Sequence, residues 1–155
     1  AFGATINLST NEINRKAYAE FNNSFGSFNT WKNTLKAGSG LIGNHFTADI
    51  RLSNVTSDGY IDRATSRLRS LYFSTAYLDN SNALRFNIIK GYEKTYQAWY
   101  GVSEADLKAG NRTINYAGTE KPGEPYDNET DNYWQDHYQL FYTHHFNSHL
   151  INNLP

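Results

Sequence analysis

Long runs of strict period-two alternation limit how this chain can fold more than any other feature. In residues 46–53, Phe46, Ala48, Ile50 and Leu52 fall on one side, and Thr47, Asp49, Arg51 and Ser53 fall on the other. Successive side chains of an extended chain point in opposite directions, so this pattern specifies a strand with one apolar and one polar face. The pattern recurs. Ala17, Ala19, Phe21 and Phe25 alternate with Tyr18, Glu20, Asn22 and Ser24. Trp31, Leu35 and Ala37 alternate with Lys32, Thr34 and Lys36, with Asn33 interrupting the apolar side. Further strands are expected over 68–78, 84–96 and 133–146. The phase within 68–78 is open, and the slip at Ile88-Ile89 predicts a bulge. In the last of these strands Trp134, Tyr138, Leu140, Tyr142 and Phe146 share a face.

The breaks between strands carry turn chemistry. Gly26-Ser27-Phe28-Asn29 and Asp79-Asn80-Ser81-Asn82 are tight polar turns. The segments 39–44, 79–82 and 147–149 fall at one end of the strands; 26–29, 57–66 and 101–131 fall at the other. The fold class expected is therefore all-β, an antiparallel up-and-down meander with short turns on one rim and longer loops on the opposite rim. Soluble strands usually run about five or six residues. Strands of this greater length, with unequal rims, match a transmembrane β-barrel, in which only alternate residues need be apolar. A soluble sandwich of long strands is the alternative, although neighbour-to-neighbour order argues against a Greek key.

Composition removes several classes. The net charge of -1 gives no field for nucleic acid. There is no cysteine, so neither a disulfide framework nor a thiolate metal site is available. Phosphate loops, zinc spacings and serine elbows are absent, and no nucleophile, base and orienter fall together, so no catalytic residue is assigned and an enzyme is not expected. His137, His144, His145 and His149 do not form a metal set: His137 and His145 share a face but stand more than about 25 Å apart along a strand. No cofactor is implied. The chain opens mid-strand, ends where another strand starts at 152–155, and contains no Met, which reads as a processed chain or a piece of a longer one.

Three stretches carry a family resemblance. FGATINLST at 2–10 resembles the last strand of the plug domain of TonB-dependent outer-membrane receptors. FGSFNTW at 25–31 is similar to that family's first extracellular hairpin, and SDGYIDR at 57–63 to the end of its third strand. GYEKTYQAW at 91–99 resembles members from the Bacteroidetes. The resemblance implies that residues 1–15 are the last plug strand and its linker. Residues 16–155 would be strands one to six and the start of the seventh of a 22-stranded barrel. It implies a bacterial outer-membrane location and outer-membrane lipid around the wall. The remaining partners it implies are the rest of the plug and barrel, TonB acting through a part of the chain absent here, and a scarce nutrient as cargo. Ferric siderophores are the class most often served; cobalamin, haem and glycans are the others. A small plug-less barrel with a structural or adhesive role and a soluble carbohydrate-binding β-domain are the competing readings.

The long segment 101–131 is the expected ligand-contacting loop. Tyr96, Trp99, Tyr100, Tyr116 and Tyr126, in or near it, offer rings that stack on a sugar or an aromatic chelate. The plainer reading is that these rings rest on their own neighbours. Within the loop, Ser103 is placed to cap a short helix with Asp106 at its third position. Glu20, Asp49, Arg51, Arg69 and Arg85 are expected on the lumen side, available to pair with a plug, and Trp31, Trp134, Tyr138, Tyr142 and Phe146 on the lipid side, in interfacial girdles.

Overall fold

Each alternating run becomes a strand, and each strand pairs with the next. The computed structural model describes residues 13–147 and 150–154; the expected plug strand at 2–8, and His149, lie outside them. The elements are β1 (Tyr18–Gly26), β2 (Thr30–Gly38), β3 (Phe46–Ser57), β4 (Ser66–Leu78), β5 (Asn82–Tyr96), α1 (Glu104–Ala109), β6 (Thr130–His145) and β7 (Ile151–Leu154). They make one antiparallel sheet of seven strands in the order β1-β2-β3-β4-β5-β6-β7. The sheet is open. The meander is thus present, while a closed barrel is not formed by these residues.

Register sorts the side chains cleanly. Ala19, Ala37, Ile50, Phe73, Ile88 and Tyr138 form one cross-strand row, and the adjacent row on the opposite face is Tyr18, Gly38, Asp49, Ser74, Asn87 and Gln139. The most sheltered strand positions lie on the polar face. Thr34 is 4% exposed and Asn87 0%, whereas Phe21 on the apolar face is 64% exposed and Leu140 58%. This is the reverse of a water-soluble sheet, whose apolar face is covered. The apolar band also slants. In β1 and β2 it reaches Phe25 and Trp31, beside the first turn; in the same row β4, β5 and β6 carry Arg67, Lys94 and Asn132. In those later strands the band extends instead toward the opposite rim, through Tyr77, Leu84 and Tyr142.

Two expectations need correction. No bulge occurs at Ile88-Ile89: Ile88 pairs with Phe73 and Tyr138, and Ile89 with Tyr72 and His137, without a break. Ile89 is an apolar residue on the polar face, in one row with Arg51 and Tyr72 along a shallow groove, so the apparent slip was a change of side-chain character and not of phase. Arg69 lies on the apolar face, in the row Asn54, Arg69, Tyr92 and Trp134. Its neighbours Leu71 and Phe73 fix that parity. Glu20, Asp49, Arg51 and Arg85 do lie on the polar face.

The rims differ as the turns suggested. Phe28 and Asn29 both have positive φ, 59° and 52°, the type I′ geometry that suits strand twist. For Phe28 that conformation is costly; it is held by an edge-to-face contact with Tyr60 at 5.5 Å and by the bond its carbonyl accepts from Asp58 N–H at 2.9 Å. At the opposite rim Gly40, at φ 66°, passes beneath the entering chain; a Cβ there would stand 2.5 Å from Ala17 N. Asp79 closes the next turn by accepting from the Ser81 and Asn82 N–H groups at 2.8 and 2.7 Å.

Those bonds hold the Asp79 carboxyl below its ordinary range, the Ser81 N–H contributing most. A depressed carboxyl adds stability that is present above its unfolded value and lost as pH falls through the folded one. Asp79→Ala is therefore expected to lower the thermal midpoint of the folded protein at neutral pH. The gap from wild type should close as pH drops below about 3.8. A gap that persists unchanged in acid would assign the effect to something other than this charge.

Candidate functional site

The rim bearing the long loops is a folded layer. The connection 97–129 contains α1, capped as its sequence indicates: Ser103 Oγ accepts from Asp106 N–H at 3.1 Å, and Gly110 closes the helix at φ 86°. The rest of the connection is organised around buried polar groups. Arg63, itself at φ 63°, donates through Nη2 to the carbonyls of Asn115 at 2.6 Å and Ala117 at 2.9 Å. Asn115 donates to the carbonyls of Asp62 and Gln97, both at 2.9 Å, and accepts from Ala117 N–H at 3.0 Å. Asp62 N–H donates to Thr113 O at 2.8 Å. The connection after β3 and the connection after β5 are thereby joined through main-chain groups that would otherwise be buried without partners.

Tyr96 completes this core. It is buried, its hydroxyl donates to Tyr126 O at 2.6 Å, and the Arg63 guanidinium lies over its ring at 5.7 Å. Gly118, at φ 81°, has no room for a side chain, since a Cβ would stand 2.0 Å from the Tyr96 hydroxyl. Tyr96 is thus a buttress of the loop, turned away from solvent. Tyr116 is half-buried and donates to Asp106 Oδ2. Tyr126 is also half-buried; its hydroxyl donates to Glu120 at 2.6 Å and Lys121 stands over its ring at 5.9 Å. Trp99 and Tyr100 are the expected residues whose rings are open. They stack on each other at 4.7 Å with 24° between planes, and Trp99 is 72% exposed. A paired, solvent-facing aromatic platform on a fixed loop suits recognition of a flat or ring-shaped ligand by stacking.

Sequence reasoning did not single out Asn115 or Arg63. For Asn115 a signal existed. An Asx residue bonding to the N–H two positions on, with a glycine at 118 to reverse the chain, is a local turn motif. Arg63 had no local signal, because its partners lie more than 50 residues away.

The polar face supplies the second part of the site. Asp49 gathers the Tyr18 hydroxyl at 2.9 Å, the Asn14 amide at 3.2 Å and the Thr47 hydroxyl at 3.3 Å, and Glu20 pairs with Lys36 at 3.3 Å. Asn14 belongs to the segment entering β1. Ile13 lines a small cavity with Ala76, Arg85 and Phe141, all on the polar face, so the entering chain lies against that side of the sheet. His144 is on the apolar face, bonded to Asn82 at 2.8 Å and edge-on to Phe146 at 4.4 Å. Among the described residues no three His, Asp or Glu side chains converge as a metal set. Comparison of the chain with family models, curated proteins and solved structures gives no match.

The buried core is testable. Tyr96→Phe leaves the Tyr126 carbonyl without its donor and is expected to cost the loop about 1–3 kcal/mol. Amide exchange in 113–126 should accelerate while exchange in β3 and β4 stays unchanged. Glu120 pushes the Tyr126 hydroxyl up to about 12. A raised folded value favours the neutral form, so that contribution is intact below pH 10 and lost as pH rises toward 12. In Glu120→Gln, phenolate absorbance of Tyr126 should move back toward the ordinary value; an unmoved titration would refute this pairing.

Proposed function

We propose that this sheet is part of the wall of an outer-membrane barrel of the TonB-dependent receptor type, which takes up a scarce nutrient, a ferric siderophore being the leading cargo class. The observation that carries the reading is the inverted polarity: large apolar side chains such as Phe21, Phe46, Leu52 and Leu140 are exposed on one face, while the polar side chains buried in the sheet, Thr34, Thr47, Ser74, Arg85 and Asn87, all lie on the other. In hydrocarbon an outward apolar face is satisfied by lipid and an inward polar face by water or a plug. Unequal rims support the same reading, and so does the entering segment at 13–16, which lies on the side where a plug would sit. On this reading the open edges of β1 and β7 pair with further strands of a larger barrel, since unpaired edges are not tolerated in lipid. The Trp99–Tyr100 platform faces outward on the cargo side, carried by the Arg63–Asn115 core.

The competing soluble carbohydrate-binding domain needs a second layer over Phe21, Leu52 and Leu140, and the described residues form a single sheet. A plug-less barrel remains a distinct prediction, separated from the receptor by energy coupling. Two measurements decide between these readings. Ile50→Arg places a charge in the middle of the apolar face and is expected to weaken membrane assembly by about 2–4 kcal/mol. Ser70→Lys, on the opposite face, should assemble as wild type in outer-membrane fractions. Equal tolerance of both would sink the membrane reading. Uptake of a labelled ferric siderophore by cells carrying the intact protein should stop when the inner-membrane proton gradient is collapsed. Uptake indifferent to the gradient would leave the barrel but remove the receptor.

A further inference from the structure

The outward face of β4 and β5 changes character beyond Leu71. Moving toward the loop-bearing rim, Arg69 and then Arg67 follow Leu71 on that face, opposite Tyr92 and Lys94 respectively. Arg67 and Lys94 are like charges set directly across a strand pair, an arrangement that destabilises the pair unless an anion lies between them. Lys90, two rows nearer the centre and opposite Leu71, is neutralised by Asp136 at 3.2 Å. Among the described residues Arg67, Arg69 and Lys94 have no carboxylate within ion-pair range. Asp127 shares a small cavity with Arg63, Arg67 and Lys94, one acid against three cations. Below the cations the face hollows into a groove of about 730 Å³, running from Arg69, Tyr92 and Trp134 down to Leu35, Leu52 and Leu71, with the Lys90–Asp136 pair lining its β5–β6 side. Tyr92 and Trp134 pack together at 5.3 Å along its upper part.

We propose that this groove binds a phosphorylated membrane lipid, with an acyl chain along Leu35, Leu52 and Leu71 and the phosphate held by Arg67, Arg69 and Lys94. The inference rests on the membrane reading above. Strand rise and barrel tilt place Arg69 and Arg67 about 5 and 10 Å beyond Leu71 along the membrane normal, the depth of the headgroup layer. Guanidinium forks match phosphate oxygens in pairs. A zwitterionic headgroup would bring its own cation into a site that already has an excess of them, so the occupant is an anionic lipid.

The test is native mass spectrometry of the full-length protein in non-ionic detergent, titrated separately with phosphatidic acid and with phosphatidylcholine. Phosphatidic acid should be retained at concentrations where phosphatidylcholine is not, and inorganic phosphate at equal concentration should not displace it. The triple variant Arg67→Gln, Arg69→Gln, Lys94→Gln should bind phosphatidic acid about 100-fold more weakly. Removing three loop cations instead, by Lys108→Gln, Arg112→Gln and Lys121→Gln, should leave retention unchanged. If the triple variant fails to assemble, Arg69→Gln alone should still weaken retention about fivefold. Retention of both lipids alike, displacement by free phosphate, or a folded variant that binds as wild type overturns the lipid site. A protein monodisperse without detergent overturns the membrane reading itself. A detergent-requiring protein with no preference for phosphatidic acid overturns the lipid site alone.

Discussion

Lateral hydrogen bonding between successive strands is the interaction on which everything else in this molecule depends. The described residues form one sheet without a second layer, so there is no core of the ordinary kind: the buried side chains are mostly Thr, Ser, Asn and Arg, with few apolar ones. The ladder satisfies the backbone and sets parity, and parity decides which medium each side chain meets. A face carrying Phe21, Phe46, Leu52, Leu84 and Leu140 in the open is far larger than a soluble monomer tolerates. In water that surface would drive association. In hydrocarbon it costs nothing, and the same ladder becomes the only kind of open backbone a bilayer accepts once its edges are paired.

The two rims then divide the work. The rim with short turns needs little besides local chemistry: Asp79 folds its own turn, and His45 donates to Leu78 O at 2.7 Å to tie the neighbouring one. The opposite rim carries more than thirty residues between β5 and β6 that cannot pair with a strand. Their backbone groups are satisfied by Arg63 and Asn115 from below and by Tyr96 at the strand end. On the proposed reading these bonds matter to binding, because an aromatic pair such as Trp99–Tyr100 would bind more tightly when its ordering entropy is spent on folding and not on the ligand.

Strand positions, the meander and the sense of the faces were legible because period two is written locally, residue by residue. The α1 cap was legible for the same reason, since Ser103 and Asp106 lie within one turn. What was not legible depended on identity against context. Ile89 reads as a slip until its partners Tyr72 and His137 show it on the polar face. Arg69 reads as a lumen charge because an arginine beside a barrel's apolar band is unexpected until the band is known to end at Leu71. The loop core was hidden because Arg63 and Asn115 meet across 52 residues of chain, and no periodicity marks a contact of that separation. Tyr96, noticed for its ring, acts through its hydroxyl.

On the proposed reading, the slant of the apolar band is what distinguishes a barrel wall from a flat sheet that happens to be greasy on one side. If the strands stood parallel to the membrane normal, a belt of constant height would follow the hydrogen-bonded rows and hold the same residue types along each. Here the row that begins with Phe25 and Trp31 ends with Arg67, Lys94 and Asn132, and the row of Tyr77, Leu84 and Tyr142 is apolar at the far end instead. A horizontal belt crosses the rows obliquely only when the strands are tilted, and tilt with stagger is the geometric condition for closing a sheet into a barrel. A sandwich core follows the sheet it is packed on and has no reason to climb across it. The same slant accounts for the cations: Arg67, Arg69 and Lys94 stand on the outward face only in the strands where the belt has already moved away from that rim.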